Sequence, residues 1–228
     1  MRLDKFLASA FSLSRSEVKE KIKKGAVTVN GQTAKDAGMN VSEADSVTLS
    51  GKEAEYLEHV YIMLNKPAGV VSATSDRTYK TVTDLLSDKL KKRGLFPVGR
   101  LDIDTEGLLI LTDDGDFAHR VTSPGKKVDK TYYLKTERPI GADYTAKLSE
   151  GVYIPGGHKT LPALFRPVSE FEAYLTISEG KFHQVKYMLE ALGNRVVYLK
   201  RVKIGNLELD AALSPGEYRP FLPSENVF

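Results

Sequence analysis

The stretch Gly99-Arg100-Leu101-Asp102-Ile103-Asp104-Thr105-Glu106-Gly107 gathers three carboxylates and an arginine directly before the apolar run Leu108-Leu109-Ile110-Leu111. A second acidic turn, Thr112-Asp113-Asp114-Gly115-Asp116, follows at once. Two chemistries compete for this pattern. One is a calcium loop, since Asp102, Asp104, Glu106, Gly107 and Asp113 fall at positions 1, 3, 5, 6 and 12 of the EF-hand template. It fails because an apolar strand fills the middle of the loop, flanking helices are missing, and no bidentate Glu stands at the last position. The other is a catalytic carboxylate set at a strand edge by a glycine-led turn. Such a carboxylate stays ionised only where a cation offsets its desolvation, and Arg100 is one candidate. The plain alternative, an acidic turn capping a hairpin, would prevail for a lone Asp.

Other chemistries are excluded by residue type. The chain of 228 residues contains no cysteine, which removes disulfides, thiolate metal sites and a cysteine nucleophile. His59, His119 and His158 show no metal-ligand spacing. Gly156-Gly157-His158-Lys159-Thr160 lacks the Gly-Lys order of a phosphate-binding loop and reads as a surface turn. No apolar stretch approaches a membrane span of roughly 18 residues, and Met1-Arg2-Leu3-Asp4-Lys5 is no secretory leader. A cytoplasmic location is therefore expected.

Charge and periodicity define a small N-terminal unit. Residues 1–35 carry eight Lys/Arg against three acids, a balance of +5, whereas residues 36–58 carry −5. A surface so polarised suits one-sided contact with phosphates, although a charge run taken alone reads first as a solvated helix face. Leu3, Phe6, Leu7 and Ala10 recur at helical spacing, and Ser14-Arg15-Ser16-Glu17 forms a capping box for a second helix that buries Val18 and Ile22 and ends at Lys24-Gly25. Arg15, Lys19 and Lys23 lie four apart on it as a basic stripe. Val27-Thr28-Val29, Asn30-Gly31 and Gln32-Thr33-Ala34 predict a hairpin with a type I′ turn, followed by a strand at 46–49. This combination resembles the small RNA-binding module named after ribosomal protein S-four, the alpha-L motif. The resemblance implies that Arg15, Lys19, Lys23 and Lys24 contact RNA phosphates. Residues 50–59 read as an acidic, solvated linker, giving domains at 1–58 and 59–228.

In the larger domain, strands are predicted at 60–64, 69–73, 107–111, 130–136, 173–177, 195–200 and 203–209, with helices at about 81–90, 115–121, 140–150 and 183–192. Strands outnumber helices and connections are short, so the fold class is α+β around a mixed, largely antiparallel sheet.

Asn65-Lys66-Pro67-Ala68-Gly69, Gly99-Arg100-Leu101-Asp102, Lys130-Thr131-Tyr132 and Gly180-Lys181-Phe182-His183-Gln184-Val185-Lys186, in this order, closely resemble the RsuA family of ribosomal RNA pseudouridine synthases. The resemblance spans essentially the whole chain and includes the preceding RNA-binding module. It implies that Asp102 is the catalytic acid, that Tyr132 stacks on the extruded uracil and helps remove its C5 proton, and that Lys186 pairs with Asp102. Many relatives carry Arg in place of Lys186 or Lys181, and Arg makes a bidentate pair that Lys cannot. Asp104 and Glu106 are expected to face solvent or support Asp102. Lys66 is expected on a phosphate, Arg100 on the RNA backbone or orienting Asp102, Lys181 on RNA, and His183 in a structural or RNA-facing role. The reaction needs no cofactor and no metal. The implied partner is ribosomal RNA, closest to the small-subunit enzymes, free or within a partly assembled small subunit, met by a monomer. A large-subunit target and a non-catalytic RNA-binding assembly protein are the alternatives. A carboxylate glycosidase is disfavoured by the absence of tryptophan.

Overall fold

The computed structural model describes residues 1–11, 13–42, 44–54 and 59–223. The chain divides into two compact units, Met1–His59 with Ser87–Gly94, and Val60–Leu86 with Leu95–Phe228.

In the first unit, helices α1 (Leu3–Phe11) and α2 (Arg15–Lys23) pack on a four-stranded sheet of β1 (Val27–Val29), β2 (Gln32–Thr33), β3 (Val47–Leu49) and β4 (Lys52–Glu53), in the order β2-β1-β3-β4. The capping box is present in both directions, with the Glu17 amide donating to Ser14 Oγ and the Ser14 amide donating to Glu17 Oε2. Asn30 and Gly31 take φ of 50° and 78°, the paired left-handed conformation of the type I′ turn. Leu3, Phe6, Leu7, Val18, Ile22, Val27, Val47 and Leu49 form its core. The linker expected at residues 50–59 is corrected as far as residue 54. Lys52–Glu53 pairs with β3, and Ala54 is buried because its amide bonds the Val47 carbonyl. Residues 55–58 lie outside the described residues. The short helix α3 (Asp88–Lys91) also belongs to this unit.

The second unit is built on one mixed sheet. Its strands are β5 (Tyr61–Lys66), β6 (Phe96–Val98), β7 (Glu106–Thr112), β8 (Lys130–Thr136), β11 (Leu164–Pro167), β12 (Glu172–Ile177), β13 (Val196–Ile204), β14 (Leu207–Glu208) and β15 (Tyr218–Pro220); the small ladder β9 (Tyr153–Ile154) with β10 (His158–Lys159) stands apart. The order is β11-β12-β8-β13-β7-β5-β15, with β14 on β13 and β6 on β7. Only the β13–β7 contact is parallel among the described strands. Helices α4 (Gly115–Thr122), α5 (Tyr144–Glu150) and α6 (Gln184–Glu190) complete the unit. Leu108, Leu109, Ile110 and Leu111 are all fully buried, so β7 is covered on both faces, as its unbroken apolar run requires.

Four expectations are corrected. Residues 69–73 form no strand: Gly69 turns the chain at φ 80°, and Val71 makes a single bridge to Thr81. The helix expected at 81–90 splits into a 3-10 turn, Val82–Leu85, and α3, because Leu86 and Ser87 are extended. The strands expected at 195–200 and 203–209 merge into β13, whose register shifts absorb the irregularity without ending the strand. Helix α5 starts only at Tyr144. No helix among the described residues is long and apolar enough to cross a membrane.

Candidate active site

The segment 99–105 crosses from β6 to β7 without regular structure, yet alternate residues are fixed by hydrogen bonds. Leu101 is held on both sides by Ser72, whose Oγ donates to the Leu101 carbonyl and accepts from its amide, each at 3.0 Å. The Ile103 carbonyl accepts from the Gly69 amide at 2.8 Å. Lys66 then reaches in from the end of β5. Its Nζ donates to the carbonyls of Pro67 (3.0 Å), Ile103 (3.3 Å) and Thr105 (2.8 Å). The Thr105 amide closes a turn onto the Asp102 carbonyl. Asp102 therefore projects from a backbone that is pinned one residue before it and one residue after it.

This overturns the expected role of Lys66. It is wholly buried and meets backbone carbonyls, so it cannot contact a phosphate. Burial pushes its ammonium down to about 8, while Asp104, Asp102 and Glu106 work in the opposite direction. Arg100 is likewise not the partner of Asp102. It is exposed at the cleft margin and forms no ion pair among the described residues.

The cation beside Asp102 is Lys186, as the resemblance implied, with its Nζ 3.1 Å from Oδ2. Lys186 also binds both oxygens of Asp104, at 2.7 and 2.9 Å. Its place on α6 explains the reach: Val185, Met188 and Leu189 are buried, which turns the Lys186 stem toward the 102–104 turn. Burial opposes the Lys186 charge, but hydrogen bonds and charge from Asp104 and Asp102 prevail and raise its affinity for the proton. At Asp104 burial favours the neutral acid, yet Lys186, a backbone amide and His183 hold the carboxyl below its ordinary range. The two acids differ in setting. The Asp102 side chain is 26% exposed and the Asp104 side chain 65%, which leaves Asp102 as the carboxylate withdrawn from water. Glu106 is engaged elsewhere, accepting from the Tyr198 hydroxyl at 2.7 Å.

His183 lies closer than the sequence suggested. Its Nε2 is 3.5 Å from Asp102 Oδ1, and its ring stacks on the exposed Phe182 at 3.7 Å between centroids. His183 takes a left-handed backbone, φ 49° and ψ 24°, as it caps α6, a conformation unusual for a residue other than glycine. The loop before it is held by buried Gln184, which accepts from the Lys181 amide and donates to Glu179. Lys181 is exposed and 3.6 Å from Glu179.

Asp102, Arg100, Lys130, Tyr132, Lys181, His183, Lys186 and Arg201 line one cleft of about 280 Å³. Tyr132 sits in β8, opposite Leu175 on one side and Arg201 on the other, and is buried. Its hydroxyl makes no hydrogen bond to the described residues, whereas those of Tyr61, Tyr144 and Tyr198 are each satisfied. Gly107 permits the parallel contact beside this cleft, because a Cβ there would stand 2.2 Å from the Arg201 carbonyl oxygen. In the other unit Arg15, Lys19, Lys23 and Lys24 are all exposed, so the basic stripe is available to solvent. Among the described residues no group of His, Asp and Glu could hold a metal ion.

Asp102, its cation Lys186 and the buried Tyr132 thus share one cleft. The chain belongs to the RNA pseudouridylate synthase family, whose model matches residues 60–191, and residues 1–47 match the S4 domain. It is 48% identical to an uncharacterized RNA pseudouridine synthase, YtzG, of Bacillus subtilis, over 99% of this chain and 96% of that protein. It is 45% identical to ribosomal small subunit pseudouridine synthase A of Vibrio cholerae, over 100% of this chain and 98% of that one. A crystal structure of a pseudouridylate synthase at 41% identity superposes with a TM-score of 0.70, covering 99% of this chain and 97% of the other.

Proposed function

We propose that this chain, a cytoplasmic monomer, converts one uridine of small-subunit ribosomal RNA to pseudouridine. The observation that carries the reading is the Asp102–Lys186 pair, held by the 101–105 backbone in the same cleft as Tyr132. Full-length similarity to enzymes named for the ribosomal small subunit supports that target.

The reaction detaches uracil from C1′ and rejoins it through C5. C1′ and C5 of a stacked uridine are out of reach, so the nucleotide must leave the helix, at a cost of a few kcal/mol. Tyr132 supplies a ring for the everted base, and base–aromatic stacking of about 1–3 kcal/mol offsets much of that cost. Asp102 meets the ribose, either attacking C1′ or taking a proton from C2′; both roles need an ionised, positioned carboxylate. Lys186 sets its positive charge 3.1 Å from Asp102 Oδ2, beside the site where the carboxylate acts. The free Tyr132 hydroxyl faces the base and assists loss of the C5 proton. Arg15, Lys19, Lys23 and Lys24 add phosphate contacts through the N-terminal unit, with Arg100 and Lys181 at the cleft margin.

The test is tritium release from C5-tritiated transcripts. Small-subunit rRNA should release one equivalent per strand, and large-subunit rRNA none. Release from the large-subunit transcript alone would transfer the assignment to that target, and release from neither, whether the small-subunit RNA is free or in a partly assembled particle, would refute it.

A further inference from the structure

Arg201 is a buried cation that forms no ion pair among the described residues. It is 3% exposed; its Nε donates to the Leu108 carbonyl at 2.8 Å, while its Nη2 is buried and has no partner among the described residues. Burying a guanidinium without an anion is strongly unfavourable, and its neighbours make matters worse, since Lys66 and Lys130 are themselves desolvated and both feel its positive charge. Those two have compensation: Lys66 binds three carbonyls and Lys130 binds that of Val128 at 2.6 Å. Arg201 keeps unused donor capacity beside the cleft it lines.

Its position suggests what it is for. Arg201 is the cross-strand partner of Tyr132 on β8, and directly opposed residues of an antiparallel pair present their side chains on one face of the sheet. The guanidinium therefore lies on the face where Tyr132 would receive the base, while Asp102 and Lys186 belong to the ribose side.

We propose that Arg201 binds the uracil ring and stabilises the negative charge it bears while detached from the ribose. The inference rests on the isomerase reading above. When the C1′–N1 bond breaks, its electron pair stays with N1, and the uracil carries one negative charge shared by N1, O2 and O4. The ring turns, C5 supplies the pair for the new C5–C1′ bond, the C5 proton leaves to a base, and N1 takes up a proton, so the formula is unchanged. A fixed guanidinium favours this anion over the neutral base of bound uridine, which is the condition for speeding the step.

The experiment compares two RNAs of one sequence, carrying uridine or 5-fluorouridine at the target, and follows scission of the original C1′–N1 bond by nuclease digestion and mass spectrometry. Fluorine at C5 stabilises the detached anion, so cleavage should lean less on the protein. For Arg201→Met the single-turnover rate on uridine should fall about 100-fold with RNA affinity held within about threefold, and the fall on 5-fluorouridine should be no more than about tenfold. Arg201→Lys should show the same inequality in smaller measure. Both substrates are measured on one enzyme preparation, so a misfolded fraction cancels from the ratio. Equal falls on both RNAs, or a loss confined to affinity, would overturn the proposal. Wild-type protein that leaves uridine untouched would instead refute the isomerase reading itself.

Discussion

The ammonium of Lys186 stands 3.1 Å from Asp102 and 2.7 Å from Asp104, one cation shared between a withdrawn carboxylate and an exposed one. Lys186→Met should leave Asp102 uncompensated and lower the single-turnover rate about 100-fold or more, whereas Lys186→Arg should stay within about tenfold of wild type. The folded state raises the proton affinity of Lys186 above its ordinary 10.5. The stability of wild type over the Met variant should thus be fully present below about pH 10.5 and shrink above it, as read by urea denaturation.

Lys66 gives a prediction of opposite sign. Burial pushes it down from 10.5 to about 8, so between those values the unfolded chain binds more protons than the folded one. Wild type should gain stability over Lys66→Met as pH rises from about 8 to 10.5. Near pH 7 the Met variant loses the carbonyl bonds but also a buried charge; a net loss of about 2 kcal/mol is expected. Its turnover should drop with RNA affinity unchanged, since Lys66 positions the Asp102 loop. A fall in affinity alone would indicate a phosphate contact.

Tyr132 separates stacking from its hydroxyl. Tyr132→Phe should bind RNA normally and turn over about 100-fold slower or worse, and Tyr132→Ala should also lose about 1–3 kcal/mol of binding to RNA with an everted target. Filter binding beside single-turnover rates distinguishes the two.

The basic stripe on α2 should act through counterion release. Replacing Arg15, Lys19 and Lys23 together with Gln should reduce the slope of log affinity against log salt by about 2–3 while leaving the rate at saturating RNA unchanged. An unaltered slope would remove this face from the RNA interface.

Local chemistry carried most of what was legible in the sequence. The Ser14–Glu17 cap, the Asn30-Gly31 turn and strand Lys130–Thr136 depend on residues within a few positions of one another, and each stands where the pattern put it. The site was less legible because its members meet across long separations. Lys66 beside Pro67 reads as a surface cation, and only the carbonyls of Ile103 and Thr105, 37 and 39 residues on, make it an interior clamp. Arg201 sits in a cation-rich run, Lys200-Arg201-Val202-Lys203, that gives no sign of which one is buried. The proximity of His183 to Asp102 follows from a left-handed residue at a helix start, where no glycine signals it. The break at Leu86–Ser87 has no local signature, because Asp88–Lys91 belongs to the other unit.

The central claim is that Asp102 performs the chemistry. Pseudouridines should be mapped in ribosomal RNA from cells lacking this chain, then from the same cells supplied with wild type or with Asp102→Asn. One small-subunit position should lose its pseudouridine, regain it with wild type, and stay uridine with Asp102→Asn although that variant binds the RNA as tightly. Restoration of the modification by Asp102→Asn would contradict the account.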